Sequence, residues 1–318
     1  MCLSVFVANN NTMEQIKLFC PATIANLSCG FDVLGTCLET VGDEMIVRKS
    51  IQKGVRITKI VGADLPLETE KNVAGVAALA LLEAVETEFG FDIEIYKNIK
   101  AGSGIGSSSA SAAGAVFGIN ELLGRPFSRK ELVYFAMQGE VLASGSAHAD
   151  NVAPALCGGF TLVRGYNPLD IIRIDSPSEL YATVIHPQIE LKTSEMRAVL
   201  QPMVSLKSAI TQWGNVGGLI AGLYTSDYDL IGRSLHDGIV EPLRGPFIPQ
   251  FDLVKKSAVE NGALGSGISG SGPSIFALSR GNEMAQKVAD GMCKIFDGTD
   301  IKYEIHVSRI NAEGVKII

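Results

Sequence analysis

The sequence predicts an α+β protein of two domains, and three features carry that prediction. Segments with period-two alternation and segments with helical spacing follow one another irregularly, not in the strict order of a single parallel sheet. The chain has 318 residues, which suits two units of roughly 100–200 residues each. Hydrophobic residues make up 47% and charged residues 19%, enough for packed cores and unlike a disordered chain.

The elements follow in order. Residues 1–14 read as a poorly ordered leader: MCLSVFVANNNTMEQ has an apolar patch but neither the basic start nor the small-residue cleavage site of a signal peptide. Ile16–Phe19 reads as a short strand, followed by the small, polar loop ATIANLSCGFDVLG. Met45, Val47, Val55 and Ile57 alternate with polar residues, so 44–60 suits strands. Lys71–Thr87 carries Val73, Val76, Ala77, Ala80, Leu81 and Ala84 at helical spacing. Phe91, Ile93 and Ile95 alternate as a strand, and Ala110–Leu123 reads as a small-residue helix. Arg129–Ala143 is a further helix and Gly159–Arg164 a strand. The GYNP turn at Gly165–Pro168 interrupts the pattern, dividing the chain into 15–165 and 166–318. Beyond it, strands are expected at Tyr181–Ile185, Ser274–Leu278 and Ile301–Val307. Helices are expected at Ser194–Leu200, Ser205–Tyr224, Asp252–Asn261 and Glu283–Phe296.

Charge and cysteines narrow the function. A net charge of −7 argues against broad nucleic-acid or anionic-membrane binding, which needs a basic face. It leaves room for a small anion held locally. No stretch is long and apolar enough to span a bilayer. The six cysteines form no CxxC pair and no zinc spacing with the four histidines, so reduced, mostly buried thiols in a cytoplasmic protein are expected.

The stretch AGSGIGSSSAS, residues 101–111, has almost no side chain. It follows a strand and leads into a helix starting at about Ser107. Glycines let main-chain N–H groups approach a ligand closely, and a helix start offers free N–H groups and a positive dipole end. Together these suit a phosphate. The spacing is neither GxxxxGK[ST] nor GxGxxG. On these residues alone, a phosphate loop and a flexible turn with a serine N-cap, worth about 1 kcal/mol, stand nearly level. A second glycine-serine run, GALGSGISGSGPS at 262–274, and Asn26 and Asp32 in ANLSCGFD add to the first reading.

PATIANLSCGFDVLG, KNIKAGSGIGSSSAS and GALGSGISGSGPS resemble the three motifs of the GHMP kinases, in the same order and over nearly the whole chain. GFDVLG, GSAHADN at 145–151, KTSEMR at 192–197 and EPLR at 241–244 are most similar to the homoserine kinase branch. The resemblance implies an N-terminal ribosomal protein S5 domain 2-like domain with a left-handed β-α-β crossover. It also implies a C-terminal ferredoxin-like domain, with ATP between the two. Carried over, Gly102, Ser103, Gly104, Ile105, Gly106, Ser107, Ser108 and Ser109 would wrap the ATP phosphates. Ser108 and Glu140 would hold Mg²⁺, and Asn72 would contact adenine.

The implied acceptor, L-homoserine, is a zwitterion with a terminal hydroxyl. Arg197 and Arg244 would take its carboxylate. Thr193 lies one helical turn before Arg197, so the two share a face. Asp32, assisted by Asp150, would take the ammonium, and Asn26 and Asn151 would orient the hydroxyl. Asn151 stands where relatives such as mevalonate kinase place an aspartate base, which implies direct attack by the hydroxyl without a strong protein base. His148 reads as a structural hydrogen-bonder.

Two departures stand out. Many family members carry proline and leucine in the phosphate loop where this chain has Lys100 and Ile105; Lys100 is expected to point to solvent. NLSCGFD replaces the common NLGPGFD, which brings Cys29 near the site and predicts slow inactivation by alkylating reagents. The family's members are often homodimers. The alternatives are a GHMP kinase for mevalonate, a diphosphocytidyl alcohol, shikimate or a sugar, and a nucleotide-binding regulator without turnover. A pure interaction protein would leave both glycine loops unexplained.

Overall fold

The computed structural model describes residues 14–318; the expected leader, apart from Glu14, lies outside them. The elements in chain order are β1 (Gln15–Ala25), β2 (Leu34–Ser50), β3 (Val55–Val61), α1 (Val73–Glu83), β4 (Gly90–Tyr96), α2 (Ser107–Leu122) and α3 (Arg129–Ser144). Then come α4 (Val152–Cys157), β5 (Phe160–Tyr166), β6 (Leu169–Ile174), β7 (Leu180–Pro187), α5 (Thr193–Ala198) and α6 (Leu206–Thr225). The chain ends with α7 (Tyr228–Ser234), α8 (Glu241–Arg244), α9 (Phe251–Glu260), β8 (Gly265–Ile268), β9 (Ile275–Arg280), α10 (Asn282–Phe296), β10 (Tyr303–Arg309) and β11 (Lys316–Ile317).

The first sheet runs β11-β1-β2-β4-β3, with β5 pairing β2 and β6 pairing β5. In β1, Ile16, Leu18 and Cys20 are buried while Gln15 and Lys17 are exposed, as strand alternation requires. β3 and β4 run parallel, joined through α1, because a parallel pair needs a crossover. α2 lies on β1 and β2, and α1 and α3 pack on α2. Its alanines and glycines permit that approach: a Cβ on Gly114 would sit 2.4 Å from Cys20 Sγ. α3 starts at a capping box formed by Ser128 and Glu131, worth on the order of 1 kcal/mol.

The second sheet has the order β10-β7-β9-β8, every pair antiparallel. With α9 before β8 and α10 between β9 and β10, this is the ferredoxin-like β-α-β-β-α-β arrangement. Both faces of the sheet are covered. Ala182, Val184, Phe276 and Leu278 join the large core shared with the first sheet, while Ile185, Ile275 and Ala277 face a second core with Val254, Val288 and Met292. Strands buried on both faces read as continuous apolar runs, as YATVI and SIFAL do.

The expected boundary at 165/166 falls inside a hairpin: β5 and β6 pair across residues 166–169 within the first sheet. The chain changes sheets between Ile174 and Leu180. It returns at its end, where β11 pairs β1. The loop expected from Ala22 to Gly35 is shorter at both ends: residues 22–25 belong to β1 and 34–35 to β2, and residues 26–33 connect them. The second glycine-serine run contains β8. No helix among the described residues is long and apolar enough to cross a membrane.

Candidate active site

The loop 101–106 carries β4 into α2. The N-cap of α2 is Gly106, which offers no capping side chain, so the first amides of the helix point to the loop unsatisfied. Ser107 Oγ donates to Ile99 O at 3.0 Å. Ser103 Oγ is buried with no hydrogen-bond partner among the described residues. The second glycine-serine run braces this loop from behind. Ser269 Oγ donates to Gly104 O at 2.8 Å, and Ser274 Oγ to Ser103 O at 2.6 Å. Gly104 has φ +81°, and a Cβ there would lie 2.6 Å from Gly272 O, so the two loops meet main chain to main chain only because glycine stands there.

Beneath α2 lies a buried ion pair. Lys97 Nζ pairs with Asp43 and donates to Ser107 O at 2.8 Å and to Ser111 Oγ at 3.1 Å. Asp43 Oδ1 accepts from the amides of Asn98 and Ile99. The pair ties β2 to the loop and to the first turn of α2. Removing one partner of such a pair costs about 3–5 kcal/mol.

Ser108 and Ser109 face Glu140 on α3; Ser109 Oγ donates to Glu140 Oε1 at 3.0 Å. Burial pushes the Glu140 carboxyl above the usual carboxylate range, and the hydrogen bonds from Ser108 and Ser109 act against that rise. Hydroxyl and carboxylate are hard oxygen donors, the set that suits Mg²⁺. No group of three His, Cys, Asp or Glu side chains placed to hold a metal ion lies among the described residues, so an ion here would take its other ligands from phosphate and water.

The residues after β1 build a charged wall. Asn26 Oδ1 accepts from Asp32 N at 3.0 Å, and its Nδ2 donates to Gly270 O at 2.7 Å. Asp32 is gripped by Arg197, whose Nη1 and Nη2 reach its oxygens at 2.9–3.2 Å. Arg244 donates from Nε to Met196 O at 3.0 Å and from Nη1 to Gly270 O at 3.3 Å. Burial, then Arg197, pulls the Arg244 guanidinium down to about 10, so it stays charged at neutral pH. The Phe31 ring centroid lies 5.5 Å from the Arg197 guanidinium and 5.1 Å from that of Arg244, within range of cation–π attraction to both.

Asp150 is 5% exposed. Burial, then the charges of Asp32 and Glu140, pushes its carboxyl up to about 7. Asn151 Oδ1 accepts from Thr23 Oγ1 at 2.6 Å, which turns its amide toward donating. His148 Nδ1 is 3.8 Å from Asp32; burial lowers the His148 pKa, against the pull of Asp32.

The glycine-serine loop, Lys97, Glu140 and the charged wall of Asp32, Asp150, Arg197 and Arg244 border one cavity of about 530 Å³. Residues 72–159 match the family described as GHMP kinases N terminal domain, and residues 219–298 match GHMP kinases C terminal. A curated relative, homoserine kinase of Chlorobium phaeobacteroides, is 49% identical over 96% of this chain and all of its own. The chain belongs to the homoserine kinase family of the GHMP kinases. The crystal structure of homoserine kinase from Cytophaga hutchinsonii is 52% identical and superposes with a TM-score of 0.94 over 98% of this chain and 100% of that one. Mevalonate kinase of Methanococcus jannaschii, 12% identical with a TM-score of 0.66 over 96% of this chain and 100% of that one, shares the fold.

In this member of the homoserine kinase family, the cavity wall includes Asn26, Asn151, Glu140, Asp32, Asp150, Thr193, Arg197 and Arg244. It also includes Gly102, Ser103, Gly104, Gly106, Ser107, Ser108 and Ser109. Two residues expected here fall outside it. Ile105 is buried behind the loop, where its carbonyl accepts from Thr23 N. Asn72 is the N-cap of α1: its Oδ1 accepts from Ala74 N and its Nδ2 donates to Pro66 O. Its neighbours Lys71 and Val73 reach the cavity instead.

The expected reactivity of Cys29 is corrected. The thiol is 2% exposed, lies outside the cavity wall and is pushed up to about 12 by burial, so almost none is the nucleophilic thiolate at neutral pH. Lys100 is exposed and donates to Gln188 Oε1, as expected of a solvent-facing residue. Sequence reasoning passed over Lys97, Asp43 and Phe31. Lys97 and Phe31 stand inside quoted motifs and carried that much signal; Asp43 carried none, being 54 residues from its partner.

Proposed function

We propose that this protein transfers the γ-phosphoryl group of ATP to the side-chain hydroxyl of L-homoserine, giving O-phospho-L-homoserine for threonine biosynthesis. The observation that carries the reading is the pairing of opposite charges across from the phosphate loop. Asp32 and Arg197 neutralise each other. A zwitterion can divide that pair, its ammonium taking Asp32 and its carboxylate taking Arg197 and Arg244. Thr193 and Asp150 border the same space. A neutral sugar offers neither charge, and mevalonate offers only one.

The loop 102–109 and the start of α2 bind the phosphates through main-chain amides and the Ser103 hydroxyl. Ser108 and Glu140 hold Mg²⁺, which when bound neutralises charge on the phosphate oxygens. Asn26 positions Asp32, since its carboxamide is spent on the loop. Asn151 has its amide free to orient the acceptor hydroxyl. An amide cannot take a proton as a carboxylate does, so the hydroxyl attacks the γ-phosphorus directly as its bond to ADP breaks, the hydroxyl proton passing to a γ-phosphate oxygen, and alignment and charge neutralisation do the catalysis.

The test is ADP release with Mg-ATP against L-homoserine, D-homoserine, L-serine, L-threonine, mevalonate, shikimate and galactose. Turnover is expected with L-homoserine alone. Preference for another alcohol would keep the kinase and discard the acceptor residues. ATP binding with no turnover on any would favour a regulator.

A further inference from the structure

The motif NLSCGFD carries Ser28, and nothing in the proposed reaction uses it. Ser28 has φ +60°, a backbone that costs a side chain roughly 1–2 kcal/mol. It is 4% exposed, and its Oγ has no hydrogen-bond partner among the described residues. Strain and an unsatisfied hydroxyl at one residue ask for a compensating contact.

Glu241, in EPLR, holds the matching half. Its Oε1 pairs with Lys255, while Oε2 is buried without a partner among the described residues. Both oxygens reach the space beside Gly267: a Cβ there would lie 2.3 Å from Ser28 Oγ and 3.0 Å from Glu241 Oε2. They border a small cavity of about 10 Å³, with Asn26, Arg244 and Gly270 in its wall. That is room for one water, in a polar site. Asp237 also lines this space, but its oxygens already accept from the amides of Ile239, Val240 and Glu241; with the Arg244 guanidinium in the same wall and Lys255 pairing Glu241, a cation is disfavoured.

We propose that one ordered water fills this cavity, donating to Glu241 Oε2 and bonding Ser28 Oγ, and that Ser28 acts through it as a positioning residue for Arg244. Glu241 and Arg244 share the single turn α8. Arg244 forms part of both cavity walls. Gly270 O accepts from both Arg244 and Asn26. Fixing Glu241 against residues 26–32 therefore fixes the guanidinium that faces the acceptor. The positioning role rests on the proposed function; the water does not.

The experiment pairs a crystal structure of the full chain, at a resolution where single waters are visible, with kinetics of Ser28→Gly. Glycine relieves the backbone strain at φ +60° and removes only the hydroxymethyl group, so the variant folds. We expect a density peak within hydrogen-bond distance of both oxygens. In Ser28→Gly the KM for L-homoserine should rise on the order of fivefold, as for the loss of one buried hydrogen bond, with kcat and the ATP KM within about twofold. An empty cavity overturns the water. A peak with unchanged homoserine KM in Ser28→Gly overturns the positioning role. A wild-type enzyme inactive on L-homoserine removes the positioning role along with the proposed function, while the density still decides the water.

Discussion

The two halves of the cavity are made of different material. The nucleotide half is main chain and small side chains: a glycine loop, the amides of α2 and a second glycine loop packed behind the first. The acceptor half is charge: Asp32, Asp150, Arg197 and Arg244, from four separate segments. Backbone amides bind any phosphate, so the first half can serve every acceptor. Charges set at fixed places admit only a ligand with the opposite pattern, so under the proposed function the second half sets the substrate. The same sheet pair can therefore carry kinases for different alcohols.

The largest expected effect lies where the halves meet. Glu140→Gln keeps the shape and removes the carboxylate, and kcat should fall roughly 10³-fold at saturating ATP and homoserine. A kcat within about tenfold of wild type would remove Glu140 from metal binding and leave the nucleotide half with only its loop.

Asp150→Asn sharpens the division next. If Asp150 only binds the ammonium, the variant should raise the homoserine KM, leave kcat nearly intact and abolish an acid limb near pH 7 in kcat/KM. A fall of about 10³-fold in kcat itself would mark Asp150 as a general base and refute direct attack. Stability adds an independent check. The folded-state pKa of about 7 stands above the unfolded value of about 4. The favourable contribution is therefore full below about pH 4 and lost as pH rises through about 7. Relative to wild type, Asp150→Asn should have a higher Tm at pH 8 than at pH 5.

The smallest effect concerns Asn72. As an N-cap, its replacement by alanine should lower stability by about 1 kcal/mol with little change in the ATP KM. A large rise in that KM without loss of stability would return Asn72 to the adenine site.

The halves also differ in how far they could be read from the chain. The phosphate loop is contiguous, and strand, glycines and helix start stand side by side in residues 90–122. The small-residue helix α2 announced its close packing. The acceptor residues are far apart, and only the family resemblance joined them. Pairings across distance stayed hidden: Lys97 with Asp43, and the two-residue edge strand β11, which carries too few residues for a pattern; β6 was passed over behind the GYNP turn read as a boundary. Asn72 and Cys29 both fall outside the cavity wall, for one reason. Lying beside a site in sequence does not decide whether a side chain faces it, and each faces the interior instead. The bracing of one glycine loop by the other depends on tertiary contact between two sheets, which no local signal records.

The most direct test of the division is Arg197→Ala, with KM values for both substrates measured in the same enzyme. The account predicts that the homoserine KM rises on the order of 10²-fold, as for loss of a charge-assisted pair, while the ATP KM stays within about twofold. An equal rise in both would contradict it, because the charged wall would then belong to the nucleotide site as well.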